Sequence, residues 1–599
     1  MSYYKTPTRD LMFAIQHLSD LEDVMALPGN EEINSELIQS VIEEAGKVAE
    51  EVLDPLNKIG DRQGVRLEND RVLTAEGWKE AYQTFVDGGW NGLPFRPERG
   101  GQGLPWLIAT AILEIWHSAN MSFALCPLLT QAAVEAIELH GSDEQKKTYL
   151  PNLVQGTWTG TMNLTESHAG SDLAMIKTTA IPNDDHYRIQ GQKIFITYGD
   201  HDLTENIIHL VLARMPDAPE GIKGISLFIV PKYLPDENGN WKARNDVETI
   251  SLEHKLGIHA SPTAVIGYGT GKYRDPKGAI GYLVGEANKG MQYMFTMMNL
   301  ARLAVGVEAN GVSERAYQHS VAYAKERLQG TNPEKGNGPV SIINHPDVKR
   351  MLMVQKSRIE GLRSVGLLLG ASIDKSVKHP DPEIREFNQL MTEILTPIVK
   401  ANMTDFGLEN VSLALQVHGG MGFIEETGAA QFYRDQRITP IYEGTSGIQA
   451  LDLVSRKTIR DQGKGVNKII QHIRNDINRI NDPKLQGLTD VMNDATRVVE
   501  SSVEHILKLN LNSPNKPAAV CDAYLKLWGL IFCGWHMLKA ANISLSKIHT
   551  GDRFYTNKIT TAQFFFDHDM PKVQLYQNII QNGADTLVNM DPEMFEIAS

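Results

Sequence analysis

The spacing of hydrophobic positions divides the chain into helical and strand-rich stretches. Apolar residues recur every three to four positions in INSELIQSVIEEAGKVAEEVL and LIATAILEIWHSAN, as in an amphipathic helix. Between about 161 and 285 the pattern changes to short β-rich runs, such as NIIHLVLARM and ISLFIVPK, which are separated by turn residues. The helical period then returns and continues to the end of the chain. The pattern predicts a mainly α protein with a small antiparallel β-barrel or sandwich in its middle.

These changes of pattern also set the domain boundaries that we predict. The segments are an N-terminal arm (1–35), an α-helical domain (36–160), a middle β domain (161–287), a helical bundle (288–460) and an additional C-terminal helical domain (461–599). Within the bundle, the polar segment QGTNPEKGNGPV (329–340) separates two long helices.

Composition and charge narrow the class of protein. Apolar residues make up 42% of the chain and charged residues 22%, which is typical of a globular protein. The net charge of −15 opposes a general nucleic-acid binder, which needs a basic surface to replace phosphate counterions. Cys126, Cys521 and Cys533 are far apart and form no C-x-x-C, so we expect neither a disulfide framework nor a metal site. The N-terminus lacks the pattern of a secretory signal, and we expect a cytoplasmic protein.

One stretch of the C-terminal block is apolar around much of its circumference. It reads YLKLWGLIFCGWHMLKAANI (524–543). Such a helix is either buried in the protein or in contact with a membrane surface. A buried helix is the simpler explanation and the one that we favour.

A single carboxylate, Glu443, stands in the stretch PIYEGTSGIQ. Gly444 permits a tight turn there. Thr445 or Ser446 can cap the helix that follows, because a hydroxyl accepts a hydrogen bond from an unpaired N–H of the first turn. Taken alone, Glu443 is therefore interpreted as a solvated loop acid.

Two stretches of the strand-rich region carry polar groups suited to a flat ring. LTESHAGSD (164–172) offers hydroxyls and backbone donors, although alone it is equally a turn. KIFITYG (193–199) is predicted to be a strand with Phe195 and Thr197 on one face, because side chains alternate along a strand. The alternative interpretation is a hydrophobic strand that packs on a core.

Two further stretches lie in the helical bundle. Arg302, in ARLAVG, is on an apolar helix face and needs an acid or phosphate as partner, whereas Arg327, in AKERLQG, is more commonly an exposed charge at a helix end. In QVHGGMGF, Gln416 offers a donor and an acceptor. Gly419 and Gly420 let a ligand approach the backbone.

Seven motifs together resemble the acyl-CoA dehydrogenase family. Their order over about residues 36–460 is LTESHAGSD, KIFITYG, HKLGIHASP, MNLARLAVG, AKER, QVHGGMGF and IYEGTSGIQ. The arm and the C-terminal block are similar to those of the large, C-terminally extended bacterial subgroup, which includes 3-methylmercaptopropionyl-CoA and long-chain acyl-CoA dehydrogenases. The resemblance implies an N-terminal helical domain, a β domain, a four-helix bundle and an extra C-terminal domain.

The resemblance also implies a reaction, with FAD as cofactor and an acyl-CoA thioester as substrate. Glu443 would remove the α-proton, and its backbone N–H would bond the thioester oxygen, while flavin N5 takes the β-hydrogen as hydride. Some relatives carry the base on a helix, immediately before the residue that matches Arg302. That position is Ala301 here and offers no base. The implied partners are an electron-transfer flavoprotein and a second copy of the chain, in a homodimer.

The resemblance also implies binding roles for residues at positions that match the family motifs. Residues expected to bind the cofactor are Leu164, Thr165, Phe195, Thr197, Arg327, Gln416, Gly419, Gly420 and Thr445. Residues expected on the substrate side are Ser171, Asn299, Arg302 and Gly444. The chain departs from the family pattern at three places. Relatives often have Pro-Gly where this chain has Ser167 and His168, and Phe-Gly after the residue that matches Arg327. Shorter relatives often have Gln at the position of Gly447.

The sequence is compatible with several alternatives. An oxidase performs the same first half-reaction with oxygen as acceptor, and a flavin-bearing nucleic-acid-binding relative is more remote because residues 461–599 mix basic with many acidic residues. The sequence does not fix the type or length of the acyl chain. Methylthio-propionyl, short, medium and long chains are all compatible with it. The C-terminal block either replaces contacts that a tetramer would supply or touches a membrane.

Overall fold

A computed structural model describes residues 3–274 and 277–597. In these ranges the helices α1–α19 are Thr8–Leu18, Leu21–Met25, Ser35–Val48, Asp54–Gln63, Trp78–Asp87, Trp106–His140, Asp143–Gln155, Gly290–Glu326, Pro346–Lys378, Pro382–His418, Ala429–Gln436, Ser446–Leu451, Lys464–Ile477, Gln486–Asn512, Asn515–Ala519, Cys521–Ser546, Arg553–His568, Lys572–Asn582 and Ala584–Val588. The strands β1–β14 are Arg66–Glu68, Arg71–Leu73, Trp158–Asn163, Thr179–Asn183, His186–Thr197, Asn206–Arg214, Ile225–Pro231, Tyr233–Pro235, Trp241–Arg244, Val247–Leu252, Thr263–Tyr268, Ala279–Leu283, Leu328–Asn332 and Gly336–Ser341. The predicted mainly α fold with a central β region is confirmed.

The chain divides into two compact units. We call Glu44–Leu104 with Ile115–Ala304 the sheet unit. We call Met1–Glu43, Pro105–Glu114 and Val305–Ser599 the bundle unit.

An eight-stranded sheet forms the centre of the sheet unit. Its order is β10-β11-β5-β12-β7-β6-β3, and β4 pairs with β5 and β6. Most pairs are antiparallel, as predicted, but β3 and β6 run parallel, with Trp158 opposite Asn206. A parallel pair needs a long crossover connection, and residues 164–205 supply it. Ile189, Val211 and Phe228 are fully buried members of the core of this sheet.

The long helix α6 is bent at Asn120, whose backbone is not helical (φ −157°, ψ 93°). The Asn120 side chain replaces the missing helix contacts, since it donates to Leu53 O at 3.2 Å and accepts from Phe123 N at 3.1 Å. By length and composition α6 is the one helix of the described residues that could cross a membrane. In the structure, 78% of the most apolar 18-residue segment of α6 is buried, as is typical of a core helix.

In the bundle unit, the C-terminal block packs onto the long antiparallel pair α9 and α10. Helix α16 is in contact with α9, α10 and α17. Most of its apolar residues are buried, and Trp528 and Phe532 have no exposed surface. The prediction of a buried helix over 524–543 is confirmed. The polar segment 329–340 is more ordered than its composition suggests, because it forms most of the hairpin β13–β14.

Candidate active site

Glu443 lies on a short loop between α11 and α12, in a backbone conformation that few non-glycine residues adopt. Its φ is +55°, and that of the next residue, Gly444, is +91°. A Cβ added to Gly444 would lie 2.6 Å from Gln449 Nε2, so a larger residue would have to displace the Gln449 side chain. Left-handed backbone at a non-glycine residue costs of order 1–3 kcal/mol and persists only where surrounding contacts hold it. The loop is thus a strained structure that needs support.

Side chains of the bundle unit supply this support. The Lys400 ammonium is fully buried and donates to Gly444 O at 2.6 Å. Gln449, also fully buried, donates to Glu443 O at 3.3 Å. The backbone on both sides of the Glu443–Gly444 peptide is therefore fixed, and the Glu443 side chain is half-buried.

The start of α12 is capped as the sequence predicted. The Thr445 hydroxyl accepts from Ile448 N at 3.3 Å, so Thr445 is the residue that caps the helix. Ser446 instead donates to an Asp405 carboxylate oxygen at 2.7 Å. These bonds fix where the loop ends and the helix begins.

Behind the loop lies a second acid, Glu308 of α8, whose side chain has no exposed surface. The Tyr442 hydroxyl donates to Glu308 Oε1. Burial raises the pKa of Glu308 to about 8; Tyr442 and Lys400 oppose the shift, and the charge of Glu443 adds to it. At neutral pH Glu308 is therefore protonated and uncharged, whereas carboxyl groups are normally ionised there.

One end of the bundle unit carries several predicted cofactor residues. Arg327, Gln416, Gly419 and Gly420 are all exposed. The end of α8 packs against the end of α10, since the Tyr323 and His418 rings lie 4.5 Å apart between centroids. The structure thus places this group on two neighbouring helix ends, where a Cβ added to either glycine would meet nothing within 4 Å.

In the sheet unit, Leu164 and Thr165 lead into a tight turn after β3. The backbone groups of Glu166 and Ala169 bond each other at 3.1 and 3.0 Å, and Ile194 N donates to Thr165 O at 2.9 Å. The stretch 164–172 is therefore a compact turn, joined to β5. Ser171, farther along it, is exposed.

The second predicted stretch of the sheet unit departs from a regular strand at Phe195. Its φ is +60°, and the register between β5 and β11 shifts at this point, where Ala264 and Ile266 are the partners on β11. Ile196 of this strand is buried in the sheet core, so the strand does pack on a core, but Phe195 is 59% exposed and does not. Thr197 is half-buried at the end of β5. The regular alternation on which the one-face prediction rested does not hold across this bulge.

A buried ion pair joins these two stretches. Lys193 of β5 has no exposed surface and donates to Glu166 Oε1 at 2.8 Å and to Leu164 O at 2.9 Å. Glu166 also accepts from Thr178 N and Thr178 Oγ1 at 3.0 and 2.6 Å. Burial lowers the pKa of Lys193 to about 8, although Glu166 opposes the shift. The pair pins the turn that contains Thr165 to the strand that contains Phe195.

The predicted substrate residues on α8 differ in environment. Arg302 is buried, with its guanidinium carbon 6.0 Å from the centre of the Phe295 ring. Asn299 is exposed. Arg302 is thus a buried cation in an apolar stretch of α8.

Four residues that hold the described stretches of the two units in place were not singled out in the sequence. They are Lys193, Glu166, Lys400 and Glu308. Lys400 and Glu308 did leave a signal, because each is a lone charge inside an apolar helical run, PIVKANM and VGVEANG. A charge in such a run is buried and needs a partner.

Comparison with known protein families gives four matches in consecutive parts of the chain, between residues 35 and 591. Family models match residues 35–157 (acyl-CoA dehydrogenase, N-terminal domain), 161–267 (its middle domain), 288–458 (its C-terminal domain) and 466–591 (acetyl-CoA dehydrogenase C-terminal like).

Relatives and solved structures point the same way. A 3-methylmercaptopropionyl-CoA dehydrogenase of Ruegeria pomeroyi is 45% identical over 98% of this chain and 99% of its own. A butyryl-CoA dehydrogenase of Syntrophomonas wolfei is 33% identical over 99% of both. The crystal structure of an acyl-CoA dehydrogenase complexed with FAD from Bacillus anthracis has the same fold, with a TM-score of 0.74 over 95% of this chain and 91% of its own at 21% identity. The chain therefore belongs to the acyl-CoA dehydrogenase family of oxidoreductases.

Proposed function

We propose that this protein is an FAD-dependent acyl-CoA dehydrogenase that converts an acyl-CoA thioester to the trans-2-enoyl-CoA, with Glu443 as base. The observation that carries the proposal is the Glu443 loop. A carboxylate is held in a strained backbone conformation by Lys400 and Gln449, at the position that the family motif reserves for the base. Strain that is maintained by dedicated contacts is characteristic of functional sites.

The residues present fit a flavin cofactor. Phe195 is an exposed aromatic ring beside a turn rich in hydroxyl and backbone donors, and Thr165 and Thr197 are each half-buried. The open backbone of Gly419 and Gly420 suits close approach of a phosphate-bearing chain. Arg327, Gln416 and Thr445 would hold the adenosine and pyrophosphate part, and Leu164 would flank the ring. When bound, FAD accepts the hydride.

Glu443 and its neighbours would do the proton chemistry. The carboxylate takes the α-proton, which is acidified by the thioester. The backbone N–H of Glu443 would donate to the thioester oxygen as negative charge develops there, an arrangement that stabilises an enolate-like transition state. Ser171, Asn299, Arg302 and Gly444 would contact the acyl-CoA. Lys400 keeps the loop in place through Gly444 O.

Electrons would leave to an electron-transfer flavoprotein, and the working unit would be a homodimer in the cytoplasm. The alternative acceptor is molecular oxygen. Aerobic turnover separates the two, since a dehydrogenase gives little peroxide and an oxidase gives one peroxide for each enoyl-CoA formed.

We expect 3-methylmercaptopropionyl-CoA to be the preferred substrate, because the relative that is 45% identical over nearly its full length is named for it. The measurement is kcat/KM of the purified yellow protein with a dye acceptor. Pentanoyl-CoA is the matched comparison, because it has the same chain length with a methylene in place of sulfur, and butyryl-CoA and palmitoyl-CoA extend the series. A higher kcat/KM for palmitoyl-CoA would contradict the short-chain assignment, and no turnover with any thioester would contradict the proposed function.

The Lys193–Glu166 pair gives a prediction for the flavin side. Lys193→Met leaves the buried Glu166 with its hydrogen bonds from Thr178 and the backbone but removes its cation. We expect the free energy of unfolding to fall by about 1–3 kcal/mol. We expect a lower thermal midpoint and faster flavin release on dilution, followed by flavin fluorescence. The matched control is Lys177→Met, which removes an exposed lysine from the same region. Equal flavin release from both variants would show that the pair does not position the flavin-binding stretches.

A further inference from the structure

A second carboxyl group is linked to the proposed base through the residue that precedes Glu443. Glu308 has no exposed surface, and its Oε1 accepts from the hydroxyl of Tyr442, the residue before Glu443. Position 308 plays no part in the seven family motifs, and the proposed reaction does not use it. A buried acid of this kind needs an explanation, because ionised carboxyl groups are rarely left inside a protein without a cation.

One cation is available to the two acids from the neighbouring helix. Lys400 of α10 is fully buried and donates to Gly444 O, immediately after Glu443. Three titratable side chains thus act on Glu308 from the elements packed around it: Tyr442 and Glu443 from the loop, and Lys400 from α10. A single buried cation favours one negative charge nearby and disfavours two.

We infer that Glu308 is a positioning residue that keeps its proton so that Glu443 alone carries the negative charge of the pair. The inference rests on the proposed function, in which Glu443 must be ionised to accept the α-proton. Two acids in unlike environments commonly divide acid and base roles in this way. Here the more buried acid stays neutral and holds Tyr442, while the half-buried acid is the base.

Loss of the Glu308 proton to solvent would end this arrangement. The pair would then hold two negative charges beside one ammonium group. The additional charge would repel the enolate-like charge that develops on the substrate. Since burial places the pKa of Glu308 at about 8, activity should fall on the alkaline side of this pH.

The test is the pH profile of kcat for the holoenzyme from pH 6 to 9.5. With the proton on Glu308 required, kcat of the unaltered protein at pH 9 should be about tenfold lower than at pH 7. Glu308→Gln is always uncharged and still accepts from Tyr442, so its ratio of kcat at the two pH values should be near one. Tyr442→Phe removes a hydrogen bond that lowers the pKa of Glu308, so its decline should begin at a higher pH. An unchanged alkaline decline in Glu308→Gln would overturn the inference.

A second readout does not depend on activity or on the role of Glu443. A carboxyl group whose pKa is higher in the folded state than in the unfolded state destabilises the fold progressively as pH rises between the two values. The thermal midpoint of Glu308→Gln minus that of the unaltered protein should therefore increase from pH 5 to pH 8. Glu383→Gln, at an exposed acid of α10, should show no such trend. A difference that is constant with pH would mean that Glu308 holds no proton, whereas failure of Glu443 as base would leave this result unchanged.

Discussion

Glu443→Gln should lower kcat by a factor on the order of 10²–10⁴ while the protein stays folded and yellow. This range is what a positioned general base typically contributes. Glutamine keeps the size of the side chain and the backbone contacts of Lys400 and Gln449 but cannot accept the α-proton. The measurement is dye-linked turnover, together with exchange of the substrate α-hydrogen in deuterium oxide, which should disappear with the same variant.

Two further variants separate loss of the base from damage to the loop. Glu443→Asp keeps the carboxylate but withdraws it by one methylene, and should retain part of the activity lost in Glu443→Gln. Glu383→Gln neutralises an exposed acid and should be indistinguishable from the unaltered protein. Near-normal kcat in Glu443→Gln would remove this residue as the base.

The location of the Glu443 loop was accessible from sequence because its signals are local. A Gly-Thr-Ser run followed by a helical period predicts a turn and a helix cap, and the structure has both, with Thr445 as the capping residue. The apolar circumference of 524–543 likewise predicted a buried helix. Both features depend on residues within a few positions of one another.

Features that depend on distant residues were not predictable in this way. The left-handed conformation of Phe195 arises where β5 shifts register against β11, a strand that lies far along the chain. The contact of Lys400 with Gly444 spans 44 residues, and that of Tyr442 with Glu308 spans 134. A lone charge in an apolar helix indicates that a partner exists, but only the packing of helices shows which partner it is.

The bundle unit also contains a buried arginine that pairs with two buried acids. Arg363 of α9 is buried and donates to Glu114 Oε1 at 2.6 Å and to Glu314 Oε2 at 2.8 Å, so it joins α9 to α6 and α8. Both acids are also buried. Burial works against the charged guanidinium, but the two carboxylates outweigh it and hold the pKa of Arg363 well above its usual value.

Arg363→Met should therefore cost about 3–5 kcal/mol of unfolding free energy, because it leaves two buried carboxyl groups without a cation. The urea midpoint, followed by circular dichroism, measures this loss. Burial raises the pKa of Glu114 and Arg363 opposes this shift, so without the arginine Glu114 takes up a proton in the folded state at a higher pH than in the unfolded state. The loss should therefore be larger at pH 8 than at pH 5. Adding Glu114→Gln and Glu314→Gln to Arg363→Met should recover part of it.

An exposed arginine of the same helix provides the control for this prediction. Arg350 pairs with Asp347 at 2.8 Å, but the two side chains are 45% and 71% exposed. Arg350→Met should change the unfolding free energy by less than about 1 kcal/mol, since water screens exposed pairs. Because both substitutions remove one positive charge from α9, the difference between them isolates the effect of burial. Equal effects would show that the Arg363 contacts do not stabilise the bundle unit.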